Sequence, residues 1–364
     1  MIHSIPTTMK AWRLSRLGGE LTFDTVPVPE VRPGSILLKV EASTLMSYMK
    51  PYVEGKLPPY HAPDGAFTPG GNCVGVIRAV GRDVWQLRPG QRVLLSSLFR
   101  SAENVPDPAQ LLIGVTSFGP DSEKIQADWP NGSLAEYTLL PASAVVPADG
   151  FDDMAATQLS AAARFVVPYG GLVRGRLAAG ETLIVNGATG AYGSAAVLMA
   201  LAMGAGRVVA AGRNASKLDT LTALGGKAVV PIVLSGNIQQ DAKALREAAG
   251  GGAEIAFDMI GGAQEPNSTL AALNALRREG RLVLMGSLMV DLPVPYLQLM
   301  LNSIEIIGNF MHKTDAFRNV LALVRAGRLD LRAIMPKVFP LSELISAMDA
   351  AGAAGSLEQV VMQP

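Results

Sequence analysis

With 364 residues, about half of them hydrophobic, the chain is long enough for two domains and can bury a sizeable core, which excludes a disordered or fibrous protein. Its 31 basic and 31 acidic residues balance and form no basic patch, so nucleic acid is not an expected partner. Cys73 is the only cysteine, which rules out intrachain disulfides and zinc sites of several thiolates and fits a cytoplasmic setting. The first residues lack the basic-then-apolar order of a secretory signal, and no apolar stretch reads as a membrane span.

From Lys10 to about Ala148 the pattern predicts mostly β structure. Short alternating runs at Lys10 to Leu14, Leu21 to Val26, Ile36 to Ala42, Asn72 to Val80 and Arg92 to Ser96 are separated by glycine and proline turns. A short helix is expected within Leu45 to Val53. Ser97 to Gly132 is weakly patterned and proline-rich, and reads as a surface excursion; strands resume over Leu134 to Val146. After Phe151 the pattern changes. Met154 to Leu172 reads as helix, with a break at Pro168. Apolar strands at Leu183 to Val185, Arg207 to Ala211, Ala228 to Val233, Ile255 to Met259, Arg281 to Met285 and Ile304 to Ile307 then alternate with helical segments. That alternation predicts an α/β domain whose parallel sheet is wrapped on both faces, a doubly wound Rossmann sheet. Helices follow at Ala316 to Ala326 and Leu341 to Ala351. The tail, Leu357 to Met362, reads as a strand with no partner in the α/β half, and is expected to return to the N-terminal β domain.

The stretch from Thr182 to Ser194 carries the chemistry. An apolar strand, a glycine turn and a helix opening follow without a gap, the order that presents backbone N–H groups to a pyrophosphate. Gly187, Gly190 and Gly193 supply the turn and the close approaches, with Ala188 where a strict G-x-G-x-x-G pattern has its first glycine. Thr189, Ala191 and Tyr192 complete the clamp. The end of the second strand decides the cofactor. An NAD site places an acid there, about 20 residues on, for the ribose 2′-OH. No Asp or Glu lies between Glu181 and Asp219; Gly212 stands near the acid's place, followed by Arg213, Asn214 and, one helical turn later, Lys217. A guanidinium grips a 2′-phosphate bidentately, so NADP(H) is the expected cofactor.

These pieces, with Pro69 to Gly81, Leu87 to Val93, Gly132 to Tyr137, Phe257 to Gly262, Glu279 to Ser287 and Ala326 to Leu329, resemble the medium-chain dehydrogenase/reductases, specifically the zinc-free branch that includes quinone oxidoreductase. The resemblance implies a GroES-like β-barrel domain over residues 1–150, completed by 312–364. It also implies a Rossmann domain over 151–311 and an active site in the cleft between the two. It further implies cofactor contacts at the strand ends Met259, Ile260, Gly261, Gly286 and Ser287 and at Asn309 and Phe310, and a homodimer, with Leu288 to Leu301 as the segment to consider for its contact. Where zinc-using relatives have a cysteine this chain aligns Met46, and their His-Glu pair falls on Gly71 and Asn72, a poor set of zinc ligands. The insert from Ser97 to Gly132 has none of the cysteines that hold structural zinc in some relatives. No metal is expected.

Without a Lewis acid, hydride transfer to a quinone or enone is easier than reduction of an unactivated ketone, because the charge spreads into a phenolate or enolate. The expected activity is therefore an NADPH-dependent, zinc-independent reduction of a small activated acceptor. The alternatives are a zinc-free aldehyde or ketone reductase, and a low-turnover NADPH-binding protein with a structural or regulatory role. Tyr48 and Tyr52 are the candidate proton donors, with Lys50 and His61 nearby; Met46 and Tyr48 are expected to shape the substrate pocket.

Overall fold

The computed structural model describes residues 4–119 and 121–364. The chain forms two compact units. The first runs to Ala163 and takes in Leu331–Ala354 and Glu358–Pro364; the second is Arg164–Asp330 with Gly355–Leu357. These divisions fall later than the expected 150 and 311. Residues after 150 are tied to the first unit: the Arg92 guanidinium donates to the carbonyls of Phe151, Asp152 and Met154, and Gln158 Nε2 donates to those of Leu331 and Ile334.

In the first unit, β1 (Thr8–Leu14) and β2 (Leu21–Pro27) form an antiparallel ribbon. β3 (Ser35–Thr44) leads to the short helix α1 (Met49–Val53), and β4 (Cys73–Val80) and β5 (Arg92–Leu95) follow. The stretch expected as a surface excursion is instead ordered structure: β6 (Leu98–Arg100), β7 (Gln110–Leu112) and β8 (Thr116–Ser117) make a three-stranded sheet, and α2 (Asp121–Asp128) packs beside it. Leu111 and Ile113 explain the difference, since both are fully buried in the same core as Ile36, Leu38, Ile77 and Val93. β6 and β7 carry only two apolar residues each and β8 none, too few to stand out as a period.

β9 (Tyr137–Pro141) and β10 (Val145–Pro147) return to the main sheet. Beyond the intervening unit, β17 (Met335–Pro340), α11 (Leu344–Ala353) and β18 (Glu358–Gln363) complete it. The seven-stranded sheet has the order β10-β5-β4-β3-β18-β17, with β9 also paired to β3. The tail strand thus finds its partner as expected, pairing Val361 and Met362 with Thr44 and Ser43. Strand β17 has no sequence expectation behind it. It carries Pro336 and Pro340, which a sheet tolerates at an edge, and β17 is the edge.

The second unit opens with α4 (Ala162–Arg174), which runs through Pro168 without a break; α3 (Ala156–Leu159) is the separate turn before it. Then come β11 (Thr182–Asn186), α5 (Ala191–Ala202), β12 (Arg207–Gly212), α6 (Ala215–Gly225), β13 (Val229–Val233) and α7 (Ile238–Ala248). β14 (Ala253–Asp258), α8 (Asn267–Asn274), β15 (Leu276–Leu284), α9 (Tyr296–Asn302), β16 (Glu305–Gly308) and α10 (Ala316–Arg325) follow. All five pairings in the six-stranded sheet are parallel, in the order β13-β12-β11-β14-β15-β16. The chain reverses direction of travel across the sheet between β11 and β14. Their carboxyl ends are therefore the switch point at which such sheets bind ligands.

Candidate cofactor site

At that switch point the chain leaves β11 through Gly187 at φ +82°, a left-handed conformation that a side chain would strain. The N–H groups of Gly187 and Ala188 both donate to Ala211 of β12, which pins the turn to the neighbouring strand. Gly190 then precedes α5, whose first N–H groups have no acceptor within the helix and face outward. Gly193 sits where the helix meets the turn: a Cβ there would lie 2.0 Å from the Gly187 carbonyl oxygen. Tyr192, in the first turn of α5, carries the Arg164 guanidinium 5.6 Å from its ring centroid. Burial lowers the Arg164 pKa, so this cation is held in a poorly solvated place beside the clamp.

A cavity of about 710 Å³ opens over the turn. Gly187, Thr189 and Gly190 of the clamp line it together with Gly212 and Arg213 from the end of β12. Met259, Ile260 and Gly261, after β14, close the other side. Eight of the eighteen residues expected to hold the cofactor thus line one cavity, while Ala188, Ala191, Tyr192, Gly193, Asn214 and Lys217 stand beside it without lining it. Asn214 caps α6, its side chain accepting from the Lys217 N–H at 3.1 Å, and so fixes the helix that starts beside Arg213. Gly212 is closely packed: a Cβ there would lie 2.6 Å from Thr189 Cγ2. An acid for the ribose 2′-OH at that position would have to displace Thr189. One carboxylate does line the cavity, that of Glu265, which accepts from Asn267 Nδ2 at 2.8 Å.

Gly286, Ser287, Asn309 and Phe310 do not line this cavity. They follow β15 and β16, whose ends lie further along the same edge of the sheet. Gly286 packs so tightly that a Cβ would be 2.0 Å from the Ile260 carbonyl oxygen, and Asn309 Nδ2 donates to the Met311 carbonyl at 2.9 Å. Leu234, Gly236, Glu265, Asn267 and Ser268 line the cavity without having been expected there. The first three or four residues beyond each strand end were readable as neighbours of a ligand, but the loop after β14 runs longer and brings its contacts from the first turn of α8.

The β-rich unit places the candidate donors differently. Tyr52 is fully buried and its hydroxyl donates to the Val115 carbonyl at 2.7 Å; burial pushes its pKa well up. With its proton committed and no solvent path, Tyr52 is a packing residue, which corrects its expected catalytic role. Lys50 is engaged as well, ion-paired with Asp349 at 2.6 Å, and the side chain of His61 is exposed. Tyr48 is half-buried at the start of α1, its ring 5.8 Å from that of Tyr60, and Met46 is half-buried just before it. Cys73 is buried, which raises its thiol pKa and keeps it neutral.

The aligned zinc-ligand positions do not fit a zinc ion. Gly71 has no side chain. Asn72 Oδ1 accepts from the Ser97 N–H at 2.7 Å, and Met46 offers only a thioether. Among the described residues no three His, Cys, Asp or Glu side chains cluster as a metal site. No helix among them is long and apolar enough to cross a membrane.

A six-stranded doubly wound sheet with a glycine clamp at its switch point makes the second unit a Rossmann dinucleotide-binding domain. The comparisons with known proteins support the superfamily but not the zinc-free quinone oxidoreductase branch in particular, since the curated relatives are named alcohol and sorbitol dehydrogenases. Residues 32–150 match the alcohol dehydrogenase GroES-like domain, and residues 191–326 match the zinc-binding dehydrogenase family. An alcohol dehydrogenase of Moraxella sp. (strain TAE123) is 29% identical over 323 residues, covering 88% of this chain and 90% of that protein. The sorbitol dehydrogenase of Bacillus subtilis (strain 168) is 24% identical and covers 96% of both. A Sinorhizobium meliloti 1021 protein solved with NADP bound superposes with a TM-score of 0.75 at 20% identity, over 99% of this chain and 100% of that one. The chain belongs to the medium-chain dehydrogenase/reductase superfamily, as an oxidoreductase dependent on a nicotinamide cofactor.

Proposed function

We propose that the chain is an NADP(H)-dependent oxidoreductase that works without zinc and passes hydride to an activated acceptor, a quinone or an α,β-unsaturated carbonyl. The observation that carries the reaction class is the donor set at the aligned ligand positions: a thioether, a glycine, and an amide oxygen already accepting from Ser97. The bound nicotinamide supplies the hydride. None of the three aligned positions supplies a strong electrophile, which suits a product whose charge is spread over a conjugated system. Choice of NADP over NAD is supported by Arg213 on the cavity wall and by the tight Gly212–Thr189 contact, in which an acid would have to displace the Thr189 side chain. The Sinorhizobium meliloti neighbour that holds NADP is consistent with it.

A second reading follows from the relatives, which are named alcohol and sorbitol dehydrogenases. In it the acceptor is a simple aldehyde or ketone, and the half-buried Tyr48 supplies the proton. One assay separates the two. With NADPH present, loss of absorbance at the reduced nicotinamide band is expected with a quinone or an enone, and 1,10-phenanthroline is expected to leave the rate unchanged. Consumption with the aldehyde alone, or inactivation by the chelator that zinc restores, would overturn the first reading. Tight NADPH binding with no consumption by any acceptor would leave a binding protein.

The partner this reading expects is a second copy of the chain. In the apolar segment before the edge strand β16, Leu292 and Leu299 pack against the core while its other face is open: Tyr296 is 80% exposed, Leu297 63% and Leu301 62%. Helix α9 buries none of its residues, an uncommon state for a run of leucines. Light scattering is expected to give twice the chain mass for the wild type and a single chain mass for Leu297→Glu with Leu301→Glu. A monomeric wild type would remove the proposal.

A further inference from the structure

Below the cavity a buried polar chain joins the ends of β11 and β14, and the glycine pattern gives no hint of it. Asn186 ends β11 and is 1% exposed; Asp258 ends β14 and is 3% exposed; the two are partners across the sheet. The Asp258 carboxylate accepts from Thr269 Oγ1 at 2.7 Å, from the Ile260 N–H at 3.1 Å and from Asn186 Nδ2 at 3.1 Å. An ionised carboxylate can only accept, so it fixes which end of the Asn186 amide faces it. That orientation brings Nδ2 within 3.2 Å of Ser268 Oγ. Asn186 Oδ1, on the other end, is buried and has no hydrogen-bond partner, so the Ser268 hydroxyl does not turn inward to it. Ser268 Oγ therefore accepts from below and keeps its one hydrogen to donate. Ser268 lines the cavity, so that donor is available to whatever fills it.

The cavity walls come from the ends of β11, β12, β13 and β14 and from none of the residues after β15 or β16. In a doubly wound sheet the first three strands hold the adenosine half of a dinucleotide. Adenine ring nitrogens and ribose oxygens offer the acceptors that such a donor needs. We infer that Ser268 is a cofactor contact, donating a hydrogen bond to the adenosine half of the bound dinucleotide, with Asn186 and Asp258 as positioning residues that set the direction of its hydroxyl. This rests on the NADP(H) reading above.

Titration calorimetry on the full chain tests it, with NADPH, adenosine 2′,5′-bisphosphate and nicotinamide mononucleotide as probes. Ser268→Ala is expected to weaken the first two about fivefold, the size of one neutral hydrogen bond, and to leave the third unchanged. Ser268→Thr keeps the hydroxyl and should bind close to wild type. In an Asn186→Ala background the serine change should add little further loss, because the two act through one contact. Equal affinity of Ser268→Ala and wild type for adenosine 2′,5′-bisphosphate would overturn the inference while leaving the cofactor reading intact, as would an equal loss for nicotinamide mononucleotide. A wild-type protein that binds neither NADPH nor the bisphosphate would overturn both.

Discussion

Arg213→Ala is expected to weaken NADPH binding roughly 10- to 100-fold while NADH binding changes less than about twofold, the range of a charge-assisted hydrogen bond to phosphate. Arg213 lines the cavity from the end of β12 and is exposed, and among the described residues no carboxylate pairs with it to keep it from a ligand. An exposed site lies at the lower end of that range at physiological salt, where screening is strong, and nearer the upper end in dilute buffer. The salt dependence is therefore part of the expectation: NADPH affinity of the wild type should fall as ionic strength rises, and that of Arg213→Ala should fall less. Glu265 on the same cavity wall works against a 2′-phosphate, so Glu265→Gln should tighten NADPH modestly in the wild-type background. Equal losses of NADPH and NADH affinity in Arg213→Ala would mean that the guanidinium supports the fold of the site and reads no phosphate. Calorimetry with the two cofactors side by side decides this.

How much of this was legible in the sequence follows from how local each feature is. Clamp residues 182–194 are contiguous, and each element declares itself by composition: a β-branched strand, glycines at the turn, small residues along a buried helix face. The sheet was legible for the same reason, because six apolar runs separated by helix-length segments admit few arrangements. The return of β18 to the first unit was readable from its lack of a partner elsewhere. What failed depended on side-chain direction or on contacts distant in sequence. Tyr52 was a plausible donor by its place in the loop, but helix α1 turns its ring into the core and its hydroxyl onto Val115, 63 residues away. The Asn186–Ser268 contact spans 82 residues, and neither residue is unusual where it stands. The sheet of β6, β7 and β8 is not legible because strands of two or three residues carry no period, nor is β17, because its prolines argue against a strand anywhere but at an edge.

Within the glycine clamp, Gly193→Ala should be the most damaging single methyl group. Helix propensity alone favours the change, by about 1 kcal/mol for alanine over glycine inside a helix. Packing reverses that sign. The added Cβ would lie 2.0 Å from the Gly187 carbonyl oxygen, 2.7 Å from its carbon and 3.0 Å from the Ala188 Cα, all backbone atoms that no rotamer change can move. Gly187 in turn is tied to Ala211 by its N–H, and Ala188 by its own, so the turn cannot yield without breaking its hold on β12. Forcing a methyl group into such a contact costs about 1–3 kcal/mol net, which should lower the melting temperature by roughly 5 °C. Relief can come only from lifting α5 away from the turn, and that separates the N–H groups that a pyrophosphate would need to meet together. NADPH and NADH should both lose at least about tenfold in affinity, in contrast to the selective loss at Arg213. Gly190→Ala is the control: its Cβ would meet only the Gly187 oxygen, at 3.3 Å, a contact that a shift of a few tenths of an ångström relieves. It should bind both cofactors within a few fold of wild type. Thermal melts and calorimetry on the two variants would overturn this account of the clamp if Gly193→Ala bound either cofactor as tightly as Gly190→Ala does.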